Sequence, residues 1–298
     1  MSARYFADSR VEECWSRAWQ QLCPGTDGRL EQIDLLGKYS APSRHYHTEQ
    51  HLDECLAAFD EFRHLASRPA EVELALLFHD AVLDTHRYDN EQQSADLARA
   101  ALSLKGARRQ AVKGVCELIL ATRHHGGVLT GDAALVADLD LWILAAPRSR
   151  FVEYERQVRA EYPDVPEYVF WEKRRELLER FLAREWIYRT PALREQWEAK
   201  ARDNLTWAIQ QSRLVPVVSR SQAESEGFVL AGFVSGGEEL RSAGFAQGSI
   251  LLVKRSEPEL PPAVGYAIFV KPERITTQLW SEIAAAWATK PRSDNPRG

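Results

Sequence analysis

Helical periodicity through residues 9 to about 211 limits the fold more than any other feature of the sequence. Apolar residues recur there at steps of three and four, as at Leu52, Cys55, Leu56, Phe59 and Phe62. This spacing places apolar side chains on one face of an α-helix, and the alternation that marks a half-buried strand is missing from this part of the sequence. We therefore expect helices at 9–23, 29–39, 48–66, 70–83, 90–103, 106–124, 132–145, 148–161, 166–185 and 190–211.

Residues after about 212 have the composition of strands and turns. Runs rich in Val, Ile and Phe are separated by Gly, Ser and Pro in RLVPVVSRS, GFVLAGFVS, GSILLVKRS and GYAIFVKP. TTQLWSEIAAAWATKP, near the end, predicts one short helix. The expected fold is mainly α, with an all-helical domain at 1–211 and a small β-rich domain at 212–298. The role expected of the β-rich domain is regulation, oligomerisation or partner binding.

Composition narrows the classes of protein to which the chain can belong. Its 298 residues are 45% hydrophobic and 27% charged, which predicts a globular protein with a core of ordinary size. A net charge of -5 argues against nucleic-acid and anionic-membrane partners. The cysteines form no C-x-x-C pair, and neither a signal peptide nor a stretch of 18 apolar residues is found. We expect a cytoplasmic protein.

The stretch LALLFHDAVLD, at residues 74–84, puts a histidine and an aspartate directly after five apolar residues. His79 shares a helix face with Ala75 and Leu76, so it should point inward. An ionised Asp80 without a partner in apolar surroundings would cost several kcal/mol, so it needs a cation or a metal. A metal site is the first interpretation, and an internal hydrogen-bond cluster without metal is the alternative.

Further metal ligands should face inward from neighbouring helices. His51 shares a face with Cys55 and Phe62 in the predicted helix 48–66. Asp140 lies in the apolar run LVADLDLWILAA, where an unpaired carboxylate is costly. Asp138 in the same run is the competing candidate.

The order of these residues resembles the HD-domain superfamily of metal-dependent phosphohydrolases. A histidine is followed 28 positions later by a His-Asp pair and about 60 positions after that by an aspartate. The resemblance covers roughly residues 40 to 205, through SRHYHTEQHL, LALLFHDAVLD, DNEQQSADLA, ATRHH and VADLDLWIL, which look like one bacterial subgroup of predicted HD phosphohydrolases. It implies an HD-domain helical bundle with metal ligands at His51, His79, Asp80 and Asp140.

The chemistry of these donors agrees with the resemblance. Two imidazoles and two carboxylates suit Mn, Mg, Fe, Co, Ni or Zn, and the donor types do not select among these metals. A bound divalent metal lowers the pKa of water from 15.7 towards about 7 and neutralises a phosphoryl oxygen. The expected reaction is therefore hydrolysis of a phosphate ester or anhydride, and the resemblance implies that the substrate is a nucleotide.

Cations and proton carriers are expected around the metal. Arg44, His47, Arg123 and His124 occur in segments that flank the predicted ligands, and Arg can hold phosphate through two parallel hydrogen bonds. For Arg44 the alternative is a surface salt bridge, and for His124 it is a second metal. Asp84, four residues after Asp80 and hence one helical turn further, is a candidate general base.

Glu91 is the second candidate for the base. The expected partner is a small phosphorylated substrate, and assembly as a homo-oligomer stays open. Two other functions are compatible with the motifs. One is a non-catalytic sensor that binds a nucleotide at the metal site, and the other is a dinuclear-iron oxygenase of the HD type.

Overall fold

Helices dominate the described part of the chain in the computed structural model. The structure describes residues 9–123, 127–165, 167–212, 217–218, 220–225, 227–234, 250–254 and 266–270. The chain is predominantly helical, as the periodicity predicts. The helices are α1 Arg10–Leu22, α2 Arg29–Tyr39, α3 Glu49–Phe62, α4 Pro69–Phe78, α5 Asn90–Leu104, α6 Arg109–Ala121, α7 Gly131–Asp140, α8 Arg148–Ala160, α9 Glu167–Leu182, α10 Pro191–Ser212 and α11 Arg220–Ser225.

Three predicted α-helices end four or five residues earlier than expected. Helices α3 and α7 pass into the 3-10 helices Arg63–Leu65 and Leu141–Ala145, so the predicted ranges 48–66 and 132–145 each contain two kinds of helix. Helix α4 ends at Phe78, five residues before the predicted end at 83. The His-Asp pair therefore follows a helix end instead of lying within a helix.

Helix α4 lies at the centre of the helical fold. Every residue from Ala70 to Phe78 is buried, and α1, α3, α6 and α7 all contact the helix. A helix whose residues are buried on every face must be covered by neighbouring elements on all sides. Its last residues therefore carry His79, at the end of α4, into the protein interior, where the side chain is buried as predicted.

Helix α1 covers one side of α4 with an apolar stripe. Its buried residues recur at steps of three and four, and Ser9 caps its first turn by accepting a hydrogen bond from the backbone of Glu12. Trp15 stacks on Trp19 with ring centroids 4.6 Å apart and also contacts Phe78. Aromatic pairs of this kind contribute beyond the area that they bury.

Glu73 is the charged residue that α4 buries most completely, and it is paired. The guanidinium groups of Arg17 and Arg63 both contact its Oε1. Two partially exposed arginines thus compensate one buried carboxylate, which would otherwise be costly to hold inside the fold.

Short strands lie in each of the four predicted β segments. They are β1 Val217–Val218, β2 Val229–Val234, β3 Ile250–Lys254 and β4 Tyr266–Val270, in the sheet order β1-β3-β4-β2. Strand β1 pairs with β3 in parallel, and the other pairs are antiparallel. These strands do not establish the predicted β-rich domain, because most residues after 212 lie outside the described ones, as does the predicted helix in TTQLWSEIAAAWATKP.

The chain divides into two compact units. One contains Met1–Pro163 and Arg184–Asn204, and the other contains Asp164–Ala183 and Leu205–Gly298. The first unit carries all the predicted ligand residues. The boundary expected between 211 and 212 stays a prediction. Among the described residues, we find no helix that combines the length and the apolar content needed to cross a membrane.

Candidate metal centre

Four side chains from three segments converge inside the first unit. His51 lies in the first turn of α3, His79 and Asp80 directly follow α4, and Asp140 is the last residue of α7. The Nε2 of His79 lies 3.1 Å from the Nε2 of His51, 3.0 Å from Oδ2 of Asp80 and 3.2 Å from Oδ1 of Asp140. The four donor atoms all lie within 4.8 Å of one another.

The spacing of these donors fits one metal ion. With metal–ligand distances of about 2.1 Å, neighbouring donors would be separated by ~3.0 Å in an octahedral site and by ~3.4 Å in a tetrahedral one. The Nε2 of His51 lies 3.5 Å from Oδ2 of Asp80 and 3.4 Å from Oδ1 of Asp140, so its separations fall in the same range. The cluster could therefore bind a metal ion, and its mixture of nitrogen and oxygen donors suits several divalent metals.

A backbone hydrogen bond fixes how His79 presents its ring. Its Nδ1 lies 2.8 Å from the carbonyl oxygen of Leu76, which can only accept a hydrogen bond. Nδ1 must therefore carry a proton, and in the neutral ring Nε2 has a lone pair directed at the cluster. Metal-binding histidines are commonly oriented in this way by the hydrogen bond of their other ring nitrogen.

Charges inside the cluster shift the pKa values of its members. Burial lowers the pKa of His79, but the carboxylates of Asp80 and Asp140 outweigh burial and raise that pKa well above 6.5. Burial likewise lowers the pKa of His51, but its surroundings, including hydrogen bonds with the carboxylates of Asp140 and Asp80, outweigh burial and raise that pKa well above 6.5. For Asp80, burial raises the pKa, and the nearby histidines lower it well below its ordinary value. The donor atoms thus favour positive charge, for which protons and a metal cation compete.

Asp138 and Asp140 have different partners. The carboxylate of Asp138 accepts hydrogen bonds from the backbone N–H of Arg189, at 3.0 and 2.8 Å, and of Thr190, at 2.5 Å. These bonds hold the chain directly before α10. Asp138 is completely buried in this role, whereas Asp140 lies in the cluster. Of the two candidates, the structure therefore brings Asp140 to the other donors.

The segment after Asp140 is held by side chains from beyond residue 184. The hydroxyl of Tyr188 donates to the carbonyl of Leu141 at 3.0 Å. The side-chain amide of Asn204 donates to the carbonyls of Leu144 and Ala146 at 2.8 and 2.9 Å. The two bonds from Asn204 satisfy carbonyls in the last turn of the 3-10 helix and directly after it, where the helix itself leaves carbonyls without partners.

Arg44 holds the backbone of the site. Its Nη1 donates to the carbonyls of His47 at 3.1 Å and Asp80 at 2.7 Å, and its Nη2 donates to the carbonyl of Ala81 at 3.0 Å. The guanidinium also lies over the ring of Tyr39, 4.8 Å from the centroid. Arg44 is buried, so the alternative of a surface salt bridge is wrong. The predicted phosphate contact stays a prediction.

Glu161 is part of the same neighbourhood, although no motif in the sequence points to it. Its Oε1 accepts hydrogen bonds from the backbone N–H of His45, Tyr46 and His47 at 2.8 to 2.9 Å. Its Oε2 lies 2.7 Å from Nδ1 of His47, whose Nε2 lies 3.8 Å from Oδ2 of Asp80. Because 114 residues separate Glu161 from His47, no local sequence pattern could have revealed the pair.

Hydrogen bonds control the ionisation of Glu161. Burial raises the pKa of this carboxyl, but the side chain and backbone of His47 and the backbone of His45 outweigh burial and lower the pKa from 4.5 to about 2. A carboxylate with a depressed pKa stabilises the fold above its unfolded pKa and loses that effect as the pH falls through its folded pKa. The contribution of Glu161 is therefore present above pH 4.5 and declines towards pH 2.

We expect Glu161→Gln to remove this pH-dependent stability. In metal-free protein, the difference in unfolding free energy between the wild type and the variant should shrink by about 2 kcal/mol between ~pH 6 and ~pH 3, because over that range the carboxyl group takes up a proton in the unfolded wild type while it stays largely ionised in the folded protein. Urea unfolding at several pH values in this range measures the difference in unfolding free energy. The contributions of carboxylates that both proteins contain cancel in this difference. A difference that stays constant with pH would contradict the depressed pKa.

The candidate base Asp84 does not have the geometry assumed for it. The expectation that it lies one helical turn after Asp80 is wrong, because α4 ends at Phe78. Asp84 is exposed, and its Oδ1 accepts a hydrogen bond from the backbone N–H of His86 at 2.9 Å. Its role as a general base stays a prediction without that helical support.

Two other predicted residues, Arg123 and Glu91, lie close to each other. The Nε of Arg123 lies 4.0 Å from Oε2 of Glu91, and its Nη2 donates to Gln92 at 3.2 Å. Arg123 and Glu91 are therefore neighbours, which their separation of 32 positions along the chain did not predict. His124 lies outside the described residues.

Comparison with known proteins adds no family to these observations. No protein-family model, curated protein or solved structure matches the chain.

Proposed function

We propose that the protein is a metal-dependent phosphohydrolase of the HD type. It cleaves a phosphate ester or anhydride of a nucleotide in the cytoplasm. In this proposal the helical domain holds the metal, and residues 212–298 form the small β-rich accessory domain. The observation that carries the proposal is the convergence of His51, His79, Asp80 and Asp140 at metal-ligand spacing.

The exposure of the four side chains supports a catalytic site over a structural one. The side chains of His51 and His79 are 2% and 1% exposed, whereas those of Asp80 and Asp140 are 18% and 16% exposed. The cluster is therefore closed on its histidine side and reaches solvent on its carboxylate side. Structural metal sites are usually closed, and catalytic sites keep an open position for water or substrate.

The four donors would hold the metal, and the metal when bound would supply a hydroxide at neutral pH and neutralise charge on the phosphoryl group. The chain's own residues contribute orientation. Arg44 donates hydrogen bonds to the backbone carbonyls of Asp80 and His47 and so fixes the position of one residue relative to the other. In the proposal, His47, Arg123 and His124 contact the substrate, Arg44 contacts its phosphate, and Asp84 or Glu91 accepts a proton.

Elemental analysis together with a hydrolysis panel tests the proposal. We expect about one metal ion per chain, or two if the site is dinuclear. We also expect release of phosphate or pyrophosphate from nucleotides or simple phosphate esters in the presence of Mn²⁺, Mg²⁺, Co²⁺ or Ni²⁺. Chelator-treated protein is the control and should release neither product until metal is restored.

Two outcomes would replace the proposal with another function. Stoichiometric metal without turnover of any substrate in the panel would favour a nucleotide-binding sensor. Two iron ions per chain with the absorption spectrum of a diiron centre would favour an oxygenase.

A further inference from the structure

The geometry points to Glu161 as a positioning residue of the metal site. We infer that its carboxylate fixes His47 in the tautomer that is protonated on Nδ1. The Nε2 of His47 is then an acceptor for an O–H group that lies beside Asp80, either a water molecule or a hydroxyl of the substrate. The inference deepens the proposed function and rests on it for the role of His47 in turnover, whereas the tautomer itself does not depend on it.

The first step of the argument is the position of the backbone. Oε1 of Glu161 accepts three consecutive N–H groups, from His45 to His47, in the segment that connects α2 to α3. That segment leads directly into the first turn of α3, which carries His51. A buried carboxylate that accepts several backbone N–H groups forms strong, charge-assisted hydrogen bonds. Glu161 therefore fixes the backbone position from which the side chain of His47 extends.

The second step is the orientation of the ring. Oε2 of Glu161 lies 2.7 Å from Nδ1 of His47, and an ionised carboxylate can only accept hydrogen bonds. Nδ1 must then carry a proton. The side chain of Glu161 is 1% exposed, so water does not compete for this bond. The depressed pKa of Glu161 keeps the carboxylate ionised at neutral pH, in agreement with the geometry.

The third step is the direction of Nε2. It lies 3.8 Å from Oδ2 of Asp80, which is too long for a direct hydrogen bond. An oxygen atom at ~2.8 Å from each of the two would bridge them. Both Nε2 in this tautomer and an ionised Asp80 are acceptors, so the bridging group must donate. A water molecule can donate to both acceptors, whereas a substrate hydroxyl has a single hydrogen and would donate to Nε2 alone.

Arg44 also fixes the placement of His47 relative to Asp80. Nη1 of Arg44 donates to the carbonyl oxygens of both residues, at 3.1 and 2.7 Å. Glu161 and Arg44 therefore both hold the backbone of His47, Glu161 through its N–H and Arg44 through its carbonyl, and Arg44 links it to Asp80. The side chain of His47 is 24% exposed, so a substrate group can reach it from solvent.

Glu161→Gln tests the tautomer with little change of shape. The amide oxygen can still accept the backbone N–H groups, while the amide nitrogen now donates to Nδ1 of His47. The proton of the ring must then move to Nε2. The probe is ¹⁵N NMR of histidine-labelled protein loaded with Zn²⁺, recorded over a pH series that extends to the range in which the imidazole signals no longer change with pH. The His47 signals are assigned by their loss in His47→Gln.

We expect wild-type His47 to be protonated on Nδ1 alone and to be protonated on Nε2 in Glu161→Gln. Zinc content should be equal in the two proteins. A wild-type ring protonated on Nε2 would overturn the inference without any variant, so the test does not depend on the folding of Glu161→Gln. An unchanged tautomer in a folded Glu161→Gln would overturn it as well.

The turnover experiment uses the phosphate compound that the wild type hydrolyses fastest. Both Glu161→Gln and His47→Gln should lower kcat by about 10- to 100-fold and leave KM within a few-fold, as for other groups that orient a residue of a metal site. The double variant should be no slower than His47→Gln alone, because Glu161 acts through His47. Multiplicative losses in the double variant would overturn this step.

Glu198→Gln is the matched control. Glu198 is also buried and also accepts backbone N–H groups, from Ile187 and Tyr188. The same substitution there should leave the tautomer of His47 and kcat unchanged. If the wild type hydrolyses no phosphate compound, the proposed function fails, while the NMR experiment still decides whether Glu161 fixes the ring.

Discussion

Asp140→Asn is expected to abolish metal binding while leaving the helical fold intact. The substitution keeps the shape of the side chain but replaces one of the two carboxylates of the cluster with a neutral amide. Removal of a group outside the ligand set commonly costs about 10- to 100-fold in metal affinity, so loss of a ligand should cost more than about 100-fold. Elemental analysis after gel filtration, together with circular dichroism, measures both effects.

Asp138→Asn is the matched control and should lower the stability of the fold without affecting metal binding. Asp138 accepts backbone N–H groups of Arg189 and Thr190 through both oxygens, and an amide can replace only one of them as an acceptor. Unfolding free energy should fall by about 1 to 3 kcal/mol, whereas metal content should stay at the wild-type level. If Asp138→Asn loses the metal and Asp140→Asn keeps it, the assignment of the donors in α7 is wrong by two residues.

Substitution of Arg44 is expected to have the second large effect. Arg44→Met would leave the carbonyls of His47, Asp80 and Ala81 without the donor that they now share. Unsatisfied buried acceptors cost about 1 to 3 kcal/mol each, and a net loss of about 3 kcal/mol would lower Tm by roughly 6 to 12 °C. Metal affinity should fall by about 10- to 100-fold, because the backbone at Asp80 is no longer held.

Arg44→Lys separates the charge of Arg44 from its geometry. An ammonium group keeps the charge but cannot donate from two nitrogens to three carbonyls, so stability and metal affinity should be intermediate. Arg202→Met is the control, since Arg202 donates to the carbonyls of Arg184 and Glu185, which carry none of the four donors. It should lower Tm without changing metal affinity. If Arg44→Met raises KM at unchanged Tm, the predicted phosphate contact of Arg44 is favoured over the backbone role.

The predictable part of the fold is the part governed by local periodicity. Helix α2 has the predicted bounds. The predicted ranges of α5 and α8 are wrong by one residue at the C-terminal end, and those of α1 and α10 are wrong by one residue at both ends. The end of α4 was wrong by five residues. Leu83 and its neighbours continue the apolar pattern of the sequence. However, Arg44 donates hydrogen bonds to the carbonyls of Asp80 and Ala81, and the N–H of Val82 donates to the hydroxyl of Ser94. Contacts with distant residues thus end the helix.

In the candidate site, too, local sequence features were predictable and contacts between distant residues were not. The sequence indicated four candidate metal ligands, because charged or polar side chains inside apolar helical runs need partners. These candidates are His51, His79, Asp80 and Asp140. The structure brings these residues together. Asp138 had the same local pattern as Asp140, and only its contact with the segment before α10 shows that it has another role.

The sequence by itself determined the predominantly helical fold, three residues of the cluster and an aspartate at either 138 or 140 as the fourth, because helix periodicity and the cost of burying polar groups are local properties of the chain. Only the tertiary structure decided the roles of Arg44 and Glu161. Each acts through hydrogen bonds to residues that another segment contributes, up to 116 positions away. Such partners are chosen by the packing of helices against one another, and a single sequence carries no local pattern for them.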